Sequence, residues 1–483
     1  MTRDEAVAIY HAGPEAVVKV LLYFDAEIKA LRNRVKILEE RLAKDSHNSS
    51  KPPSTDGFKK RVPRSLRKQS NRKSGGQKGH TGYALKMVET PEHTIDHHVN
   101  QCELCGKSLE KQPSQGTEKR QEFDIPPMKI FVTEHRADIK KCDGCGHVNK
   151  GVFPDRIKAA VQYGPRIKSI AAYLMNYQFL PYNRTKEFFR DIFGRGLSEG
   201  TLVNINNEIS NLLENPVAQI REQISRASLA HFDETGCSLK GKQHWLHVAS
   251  TPELTYYQIH KKRGSEAMDA IGILRDFTGR AIHDFWSAYL KYKCSHGFCN
   301  AHLLRELIFV HEQRNQVWAK EMIDYLLKVK EMAAQTREKE SYGFLSAQID
   351  EFETEYARIL QKGYDENPLP PPKPTKRRGR PKKSDELNLL LRFKNYQREI
   401  LAFMYDLNVP FDNNLSERDL RMMKNRQKIS GTFRSNSGAR AFCITRSYLS
   451  TVRKNSVNVI DAIHYAITGI PFIPSMSNLN KTT

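Results

Sequence analysis

The apolar positions near the N-terminus predict one long helix. They recur at alternating steps of three and four residues, with charged residues between them. The seam consists of Leu21, Phe24, Ile28, Leu31, Val35, Leu38 and Leu42. Such a seam is typical of a coiled coil, so we expect the N-terminal helix to self-associate. The alternative is an amphipathic helix that packs on the protein's own core.

Two further patterns follow along the chain. Stretches of helical character fill residues 160–227, and Ser198 is expected to cap one of these helices. Helices separated by short breaks fit either a helix-turn-helix DNA reader or a structural bundle, and the sequence leaves both open. After Ala227 the period becomes that of β-strands. Three strand-like runs are followed by a helix, and then by a fourth strand that ends at Asp284.

This order of elements predicts where two carboxylates lie. Asp233 is on the first strand and Asp284 is at the end of the fourth. Three strands, a helix and a further strand is the order of an RNase H-like fold, in which the first strand lies beside the fourth at the centre of the sheet. We therefore expect Asp233 and Asp284 side by side. Adjacent carboxylates repel each other unless a cation neutralises them, and their oxygens suit Mg²⁺ or Mn²⁺ acting on a phosphodiester.

A metal site of this kind usually needs a third carboxylate, and Glu417 is the candidate. Asn413 or Asn414 is expected to cap a helix whose first turn contains Glu417, where the helix dipole favours an anion. Three basic residues follow on the same helix and are expected to hold DNA phosphates: Arg418, Arg421 and Lys424. Arg421 and Lys424 lie on the same face of the helix as Glu417. Three nearby acids are expected to be caps or salt-bridge partners instead: Glu234, Asp412 and Asp419.

The charge of the chain points to a polyanionic partner, and nucleic acid is the first choice. The 483 residues include 77 Lys and Arg against 55 Asp and Glu, a formal net charge of +22. Residues 51–80 are rich in Ser, Gly, Pro and basic side chains, which predicts a flexible arm that contacts DNA or a solvated linker. The run Arg378-Gly379-Arg380-Pro381 resembles an AT-hook core. Its arginines either enter the minor groove of A·T-rich DNA or belong to a solvated linker.

The cysteines are expected to be thiols or metal ligands. No apolar run of 18 residues is present and the N-terminus lacks a secretory pattern, so we expect no membrane span and a reducing cytoplasm. Two Cys-x-x-Cys pairs, separated by 36 residues with a strand-like run at 129–139, suit one tetrahedral zinc ion: Cys102, Cys105, Cys142 and Cys145. The other four cysteines are expected to be buried thiols. Cys299 and His302 have no second pair of ligands to complete a metal site, and are interpreted as core or phosphate-facing residues.

Sequence motifs across the chain are similar to those of one transposase family. The matching stretches are "NSSKPPS", "GGQKGHTG", the two cysteine pairs, "HFDETG", "CNAHLLREL", "PFDNNLSERDLRMMK" and "SGTFRSNSGARAFCITRSYLSTVRKN". Together they resemble the IS-sixty-six family of bacterial insertion sequences, whose members are DDE transposases. The resemblance implies that Asp233, Asp284 and Glu417 are the catalytic acids, and that accessory proteins of the same element are partners. The family often has Asp-Gly-Tyr where this chain has Asp284-Phe285-Trp286, so we expect altered packing around a retained Asp284.

The predicted fold class is multidomain α+β. The expected segments are a coiled-coil helix (1–45), a basic arm (46–95), a zinc ribbon (96–155), a helical region (156–226), an RNase H-like core in two parts (227–299 and 401–455), a helical insertion with the AT-hook-like segment (300–400) and a C-terminal tail (456–483). The expected function is a transposase that binds the ends of its element, hydrolyses a phosphodiester and joins the freed 3′-hydroxyl to target DNA. Pairing two ends implies at least a homodimer. The alternatives are a zinc-ribbon DNA-binding regulator without catalysis and a structure-specific nuclease.

Overall fold

The computed structural model describes residues 1–49, 85–339, 343–368 and 383–474. The basic stretch 51–80 and the AT-hook-like arginines Arg378 and Arg380 lie outside these ranges. Two helices begin the chain, α1 (Arg3–His11) and α2 (Pro14–Ala43). None of the helices within the described ranges is long and apolar enough to cross a membrane.

Helix α2 exposes the apolar seam that the sequence predicts. None of its residues is buried, and Leu21 and Leu42 are 62% and 86% exposed. The alternative, a helix that packs on the protein's own core, requires this seam to be buried. In the described residues it is not. Near its C-terminal end, Glu40 forms an ion pair with Arg314 of a later helix.

The segment that contains the cysteine pairs has little regular structure. Its strands are β1 (Ile139–Lys141) and β2 (Val148–Lys150), which pair antiparallel. The prediction of a strand over residues 129–139 was wrong for residues 129–138, where no strand forms. Phe131 and Val132 in this run are 82% and 85% exposed. A strand is stabilised mainly by packing of its side chains on neighbours, and here that packing is missing.

A helical layer follows, as predicted for 160–227. Its members are α3 (Pro165–Ala172), a π-helical turn (Tyr173–Tyr177), α4 (Tyr182–Phe193), α5 (Glu199–Leu212) and α6 (Glu214–Ser225). The Ser198 side chain accepts a hydrogen bond from the Thr201 N–H at 3.1 Å, which confirms the predicted N-cap. Apolar residues of α5, among them Leu202 and Ile209, are fully buried in the main core. This layer is therefore part of the same core as the sheet that follows.

The central sheet has five strands in the order β5-β4-β3-β6-β7. They are β3 (Leu229–Leu239), β4 (Lys242–Ser250), β5 (Thr255–His260), β6 (Arg280–His283) and β7 (Ser295–Phe298). The first three are antiparallel, whereas β3 with β6 and β6 with β7 are parallel. The predicted pairing of the first strand with the fourth is confirmed, while β7 was missed. Helix α7 (Ser265–Ile271) is shorter than predicted because Gly272 ends it with a positive φ of 75°.

The described residues after β7 form helices and their connections. The helices are α8 (Asn300–Arg314), α9 (Val317–Glu338), α10 (Ser346–Glu366), α11 (Asp385–Asn395), α12 (Gln397–Ile400), α13 (Ala402–Tyr405), α14 (Asn414–Ser430), α15 (Asn436–Lys454) and α16 (Val459–Ile467). Helices α8 to α13 share a second core with Ile282 and Phe298 of the sheet. Ala462 and Ile463 of α16 are fully buried in the main core.

Candidate active site

The register of the two central strands aligns the predicted acids. The parallel pairing of β3 with β6 places His231 opposite Ile282. The same register, continued by two residues, brings Asp233 opposite Asp284. Asp284 is the residue that follows the last residue of β6, so its side chain lies at the carboxyl edge of that strand. Both acids are half-buried.

Asn413 fastens the start of helix α14 to strand β3. Its side-chain N–H donates to the Phe232 carbonyl at 2.9 Å, and its Oδ1 accepts from His231 Nδ1 at 2.8 Å. Asn413 is the N-cap residue of α14, as predicted, but its side chain makes no cap hydrogen bond, and Asp412 Oδ1 accepts from the Asn414 N–H at 3.1 Å. The side-chain amide of Asn413 bonds to the backbone of β3 instead. A buried carbonyl left without a hydrogen bond would cost more free energy than a missing side-chain cap.

Glu417 lies in the first turn of α14, as predicted. Burial raises the pKa of its carboxyl, and the positive charge of Arg305 opposes that rise. The pKa of Asp284 is also raised by burial. The pKa of Asp233 is raised well above its usual range, first by burial and then by the charges of Glu234, Asp284 and Glu417. The three predicted acids therefore lie close enough to affect one another's ionisation.

Glu234 is bound by other residues, although it lies near enough to Asp233 to raise the pKa of that acid. The Glu234 carboxylate accepts from Arg263 at 2.7 Å and from the Tyr289 hydroxyl at 2.6 Å. The guanidinium of Arg263 lies over the rings of Trp245, at 5.0 Å, and Trp286, at 4.2 Å. The predicted salt-bridge role of Glu234 is confirmed. A carboxylate with both oxygens engaged in this way has less capacity to bind a metal ion.

The other two competing acids also have structural partners. Asp419 forms an ion pair with Lys454 at 2.7 Å, and both side chains are largely buried. Asp412 caps the backbone before Glu417 through its bond to Asn414. Both observations agree with the prediction that these acids are salt-bridge partners or caps.

The residues after Asp284 fill space beside the acids. Phe285 contacts the rings of Phe298 and Tyr396, with centroids 4.9 and 5.0 Å apart. Asp284 Oδ1 accepts the backbone N–H of Trp286 at 3.3 Å. The side chain of Asp284 is therefore oriented by its own loop, and both aromatic side chains pack against the protein.

The predicted phosphate-binding residues line the exposed side of α14. Arg418, Arg421 and Lys424 are all exposed. Arg421 lies near enough to Glu417 to oppose the rise of its pKa, which is caused chiefly by burial. Lys424 Nζ donates to the carbonyl of Gly236 on β3 at 3.4 Å. Two of the three basic residues thus lie beside the acids or the strand that carries Asp233.

The first turn of helix α8 contributes side chains that the sequence did not place at the site. His302 Nδ1 lies 4.0 Å from Glu417 Oε1. Cys299, buried as predicted, accepts the backbone N–H of Asn413 through its sulfur at 3.2 Å. The ligand atoms of Cys299, His302 and Glu417 all lie within 4.8 Å of one another. The one sequence sign was the close spacing of Cys299, His302 and Arg305 at the start of a helix.

The two cysteine pairs form matching turns. In the first, the Cys102 N–H donates to the Lys107 carbonyl at 2.9 Å, and in the second the Cys142 N–H donates to the His147 carbonyl at 2.8 Å. Backbone N–H groups, chiefly those of Cys105 and Cys145, lower the pKa of the Cys102 and Cys142 thiols respectively. Such donors stabilise a thiolate, the form that binds metal.

The structure does not bring the two cysteine pairs together. In the part of the chain that the structure describes, the group around Glu417 is the only set of three metal-ligating side chains with ligand atoms within 4.8 Å of one another. The single four-cysteine cluster expected from Cys102, Cys105, Cys142 and Cys145 is therefore not assembled in this arrangement. Each turn is closed by its own hydrogen bonds, whereas the irregular run 129–138 does not fix one turn against the other.

Comparison with known families gives the class of protein. The family model described as "Transposase IS66 family" matches residues 160–441, which is more than half of the chain. A second model, the zinc-finger binding domain of transposase IS66, matches residues 100–146, and a family of unknown function matches residues 6–86. The chain therefore belongs to the IS66 family of transposases, and it contains that family's zinc-finger segment. No curated protein matches it.

Proposed function

We propose that this transposase cleaves DNA at the ends of its element and joins the freed 3′-hydroxyl to target DNA, with Asp233, Asp284 and Glu417 as the catalytic acids of an RNase H-like core. The observation that carries the proposal is the parallel register of β3 and β6, which aligns Asp233 with Asp284. Asn413 then ties the helix that contains Glu417 to the same strand.

The three acids are of the type that binds Mg²⁺ or Mn²⁺, although their carboxylate oxygens do not all lie within 4.8 Å of one another. Their oxygens are the hard ligands that these ions prefer, and burial raises all three pKa values in the absence of a cation. Glu417 Oε1 is buried and has no hydrogen-bond partner within the described residues. When bound, the metal supplies charge neutralisation and activates a water or hydroxyl for in-line attack on a phosphodiester.

The chain's own residues position the DNA around these acids. Arg418, Arg421 and Lys424 extend along α14 from Glu417, where each can neutralise a backbone phosphate. The guanidinium of Arg263 lies over the rings of Trp245 and Trp286 and neutralises Glu234. This pairing leaves Asp233, Asp284 and Glu417 as the acids for metal. Arg378 and Arg380 are proposed to add minor-groove contacts.

Zinc and self-association complete the proposal. Cys102, Cys105, Cys142 and Cys145 are proposed to bind one Zn²⁺, because both turns hold thiols whose pKa is lowered by backbone donors. The exposed seam of α2 is proposed to pair two copies of the chain, so that one assembly holds two element ends. Accessory proteins encoded by the same element are further proposed partners.

A cleavage-and-joining assay tests this function. Purified protein is mixed with DNA that carries the flanks of its own gene, with Mg²⁺ or Mn²⁺, and DNA binding is measured in parallel. We expect Asp233→Ala, Asp284→Ala and Glu417→Ala each to abolish nicking and joining while binding persists. Asp276→Ala is the matched control, since this acid is exposed on the same domain and, within the described residues, pairs with its neighbour Arg275. Wild-type protein that binds these ends without cutting them would favour a regulator, and cutting without joining would favour a nuclease.

A further inference from the structure

Two buried polar atoms face each other beside the proposed metal site. His302 Nδ1 and Glu417 Oε1 are 4.0 Å apart, and neither has a hydrogen-bond partner within the described residues. Buried polar atoms are nearly always satisfied in native proteins, so an unpaired donor and acceptor at this distance call for an explanation. A distance of 4.0 Å is too long for a hydrogen bond, yet a small rotation of the Glu417 side chain would close it.

The backbone around these atoms is held firmly in place. The Asn300 N–H donates to the Phe411 carbonyl at 3.1 Å, and its side chain donates to the Ile400 carbonyl at 3.0 Å. Cys299 accepts the Asn413 N–H at 3.2 Å. The bonds with Phe411 and Asn413 join the start of α8 to the segment that leads into α14, and the bond with Ile400 joins it to α12. The position of His302 relative to Glu417 is therefore set by the fold.

We propose that His302 is a positioning residue for Glu417: its Nδ1–H donates to Glu417 Oε1 and thereby turns the other carboxylate oxygen toward the metal. This role rests on the proposed function, because it requires Glu417 to bind metal. Outer hydrogen bonds of this kind orient metal-binding carboxylates and commonly change metal affinity or activity by about 10–100-fold. An imidazole can donate from Nδ1 in either protonation state.

The neighbouring thiol argues against the rival in which His302 binds the metal itself. A site made from Cys299, His302 and Glu417 would use the Cys299 sulfur as a ligand. That sulfur is buried and already accepts the N–H of Asn413, the residue that ties α14 to β3. Drawing the sulfur to a metal would compete with that bond. A hydrogen bond from His302 leaves all of these contacts intact.

The test is Mn²⁺ binding by the full-length chain, with zinc supplied beforehand, measured from the electron paramagnetic resonance signal of the free ion. The variants are His302→Ala, His302→Asn and His302→Gln. The amide nitrogen of Asn occupies about the place of histidine Nδ1, whereas that of Gln occupies about the place of Nε2. We expect the alanine and glutamine variants to weaken Mn²⁺ binding by about 10–100-fold, and the asparagine variant to restore it to nearly the wild-type value.

Two controls separate the possible failures. His311→Ala removes a histidine from the same helix, whose Nδ1 lies 3.3 Å from the Gln316 carbonyl, and should leave Mn²⁺ affinity unchanged. Asp233→Ala should abolish Mn²⁺ binding. If it does but His302→Ala binds Mn²⁺ like wild type, the positioning role is wrong and the proposed function stands. If His302→Asn is as weak as His302→Ala, His302 does not act as an Nδ1 donor. If Asp233→Ala binds Mn²⁺ like wild type, the acids are not a metal site and both proposals fail.

Discussion

Replacing Asn413 by alanine should loosen the joint between helix α14 and strand β3. The Asn413 side chain is buried and makes two hydrogen bonds, to the Phe232 carbonyl at 2.9 Å and to His231 Nδ1 at 2.8 Å. Alanine leaves both partners buried without a bond. Each such loss costs about 1–3 kcal/mol, so the expected total is about 2–6 kcal/mol.

The effect can be read as a change in the thermal midpoint. For a unit of roughly 150–250 residues, 1 kcal/mol corresponds to about 2–4 °C. A loss of about 3 kcal/mol therefore lowers the midpoint by roughly 6–12 °C. Calorimetry of the full chain can measure this change in the unfolding transition of the unit that contains the sheet and α14. Cleavage activity should fall as well, because Glu417 follows Asn413 by one helical turn.

Asn414→Ala is the matched control. Asn414 is exposed, and its backbone rather than its side chain bonds to Asp412. A surface substitution of this kind is expected to change stability by at most about 0.5 kcal/mol. If Asn413→Ala melts within about 2 °C of Asn414→Ala, Asn413 does not fasten the helix to the strand, and the account of how Glu417 reaches the other acids is wrong.

Three further predictions concern other parts of the molecule. The pKa of Asp233 is raised by burial and by its acidic neighbours, so its contribution to the stability of the metal-free protein is present at low pH and lost as pH rises through the raised pKa. Asp233→Asn should thus raise the melting temperature at pH 8 with chelator present and have little effect near pH 4; an equal effect at both would contradict this. Wild-type protein should contain one zinc ion per chain by elemental analysis, and Cys142→Ser should contain much less; equal zinc contents would exclude a site that needs this cysteine. Leu31→Glu with Leu38→Glu should shift the chain from dimer to monomer in light scattering, whereas Arg34→Glu, off the seam, should not; an unchanged mass in the double variant would contradict pairing through α2.

The pairing of the first and fourth strands was predictable because it depends on local periodicity and element order. The strand-like stretches after Ala227 marked β3 and β6, with Asp233 on the first and Asp284 directly after the second. Strand β7, Ser295–Phe298, was missed because it contains a glycine and a single apolar side chain, a composition that does not indicate a strand. Strand β7 forms because the free edge of β6 can pair with it, and this pairing partner cannot be inferred from the sequence of β7.

The parts of the site that were missed depend on contacts between distant segments. His302 and Glu417 meet because α8 and the start of α14 are joined through Cys299 and Asn413, and no local pattern encodes that junction. The same contacts explain why Asn413 is the N-cap residue of α14 but makes no side-chain cap hydrogen bond. Asn413 has the residue type of an N-cap, but a buried carbonyl on β3 takes its amide. A buried polar side chain forms the hydrogen bond that its tertiary environment requires, even where its local sequence favours another bond.

The most direct test of the central claim asks whether each acid is a metal ligand during cleavage. Asp233, Asp284 and Glu417 are each replaced by cysteine, and nicking of element-end DNA is measured in Mg²⁺ and in Mn²⁺. Mg²⁺ strongly prefers oxygen ligands, whereas Mn²⁺ accepts sulfur more readily. The account predicts that each cysteine variant is inactive in Mg²⁺ and regains nicking in Mn²⁺, while the alanine variants stay inactive in both. A cysteine variant as active as wild type in Mg²⁺ would show that its position does not bind the catalytic metal.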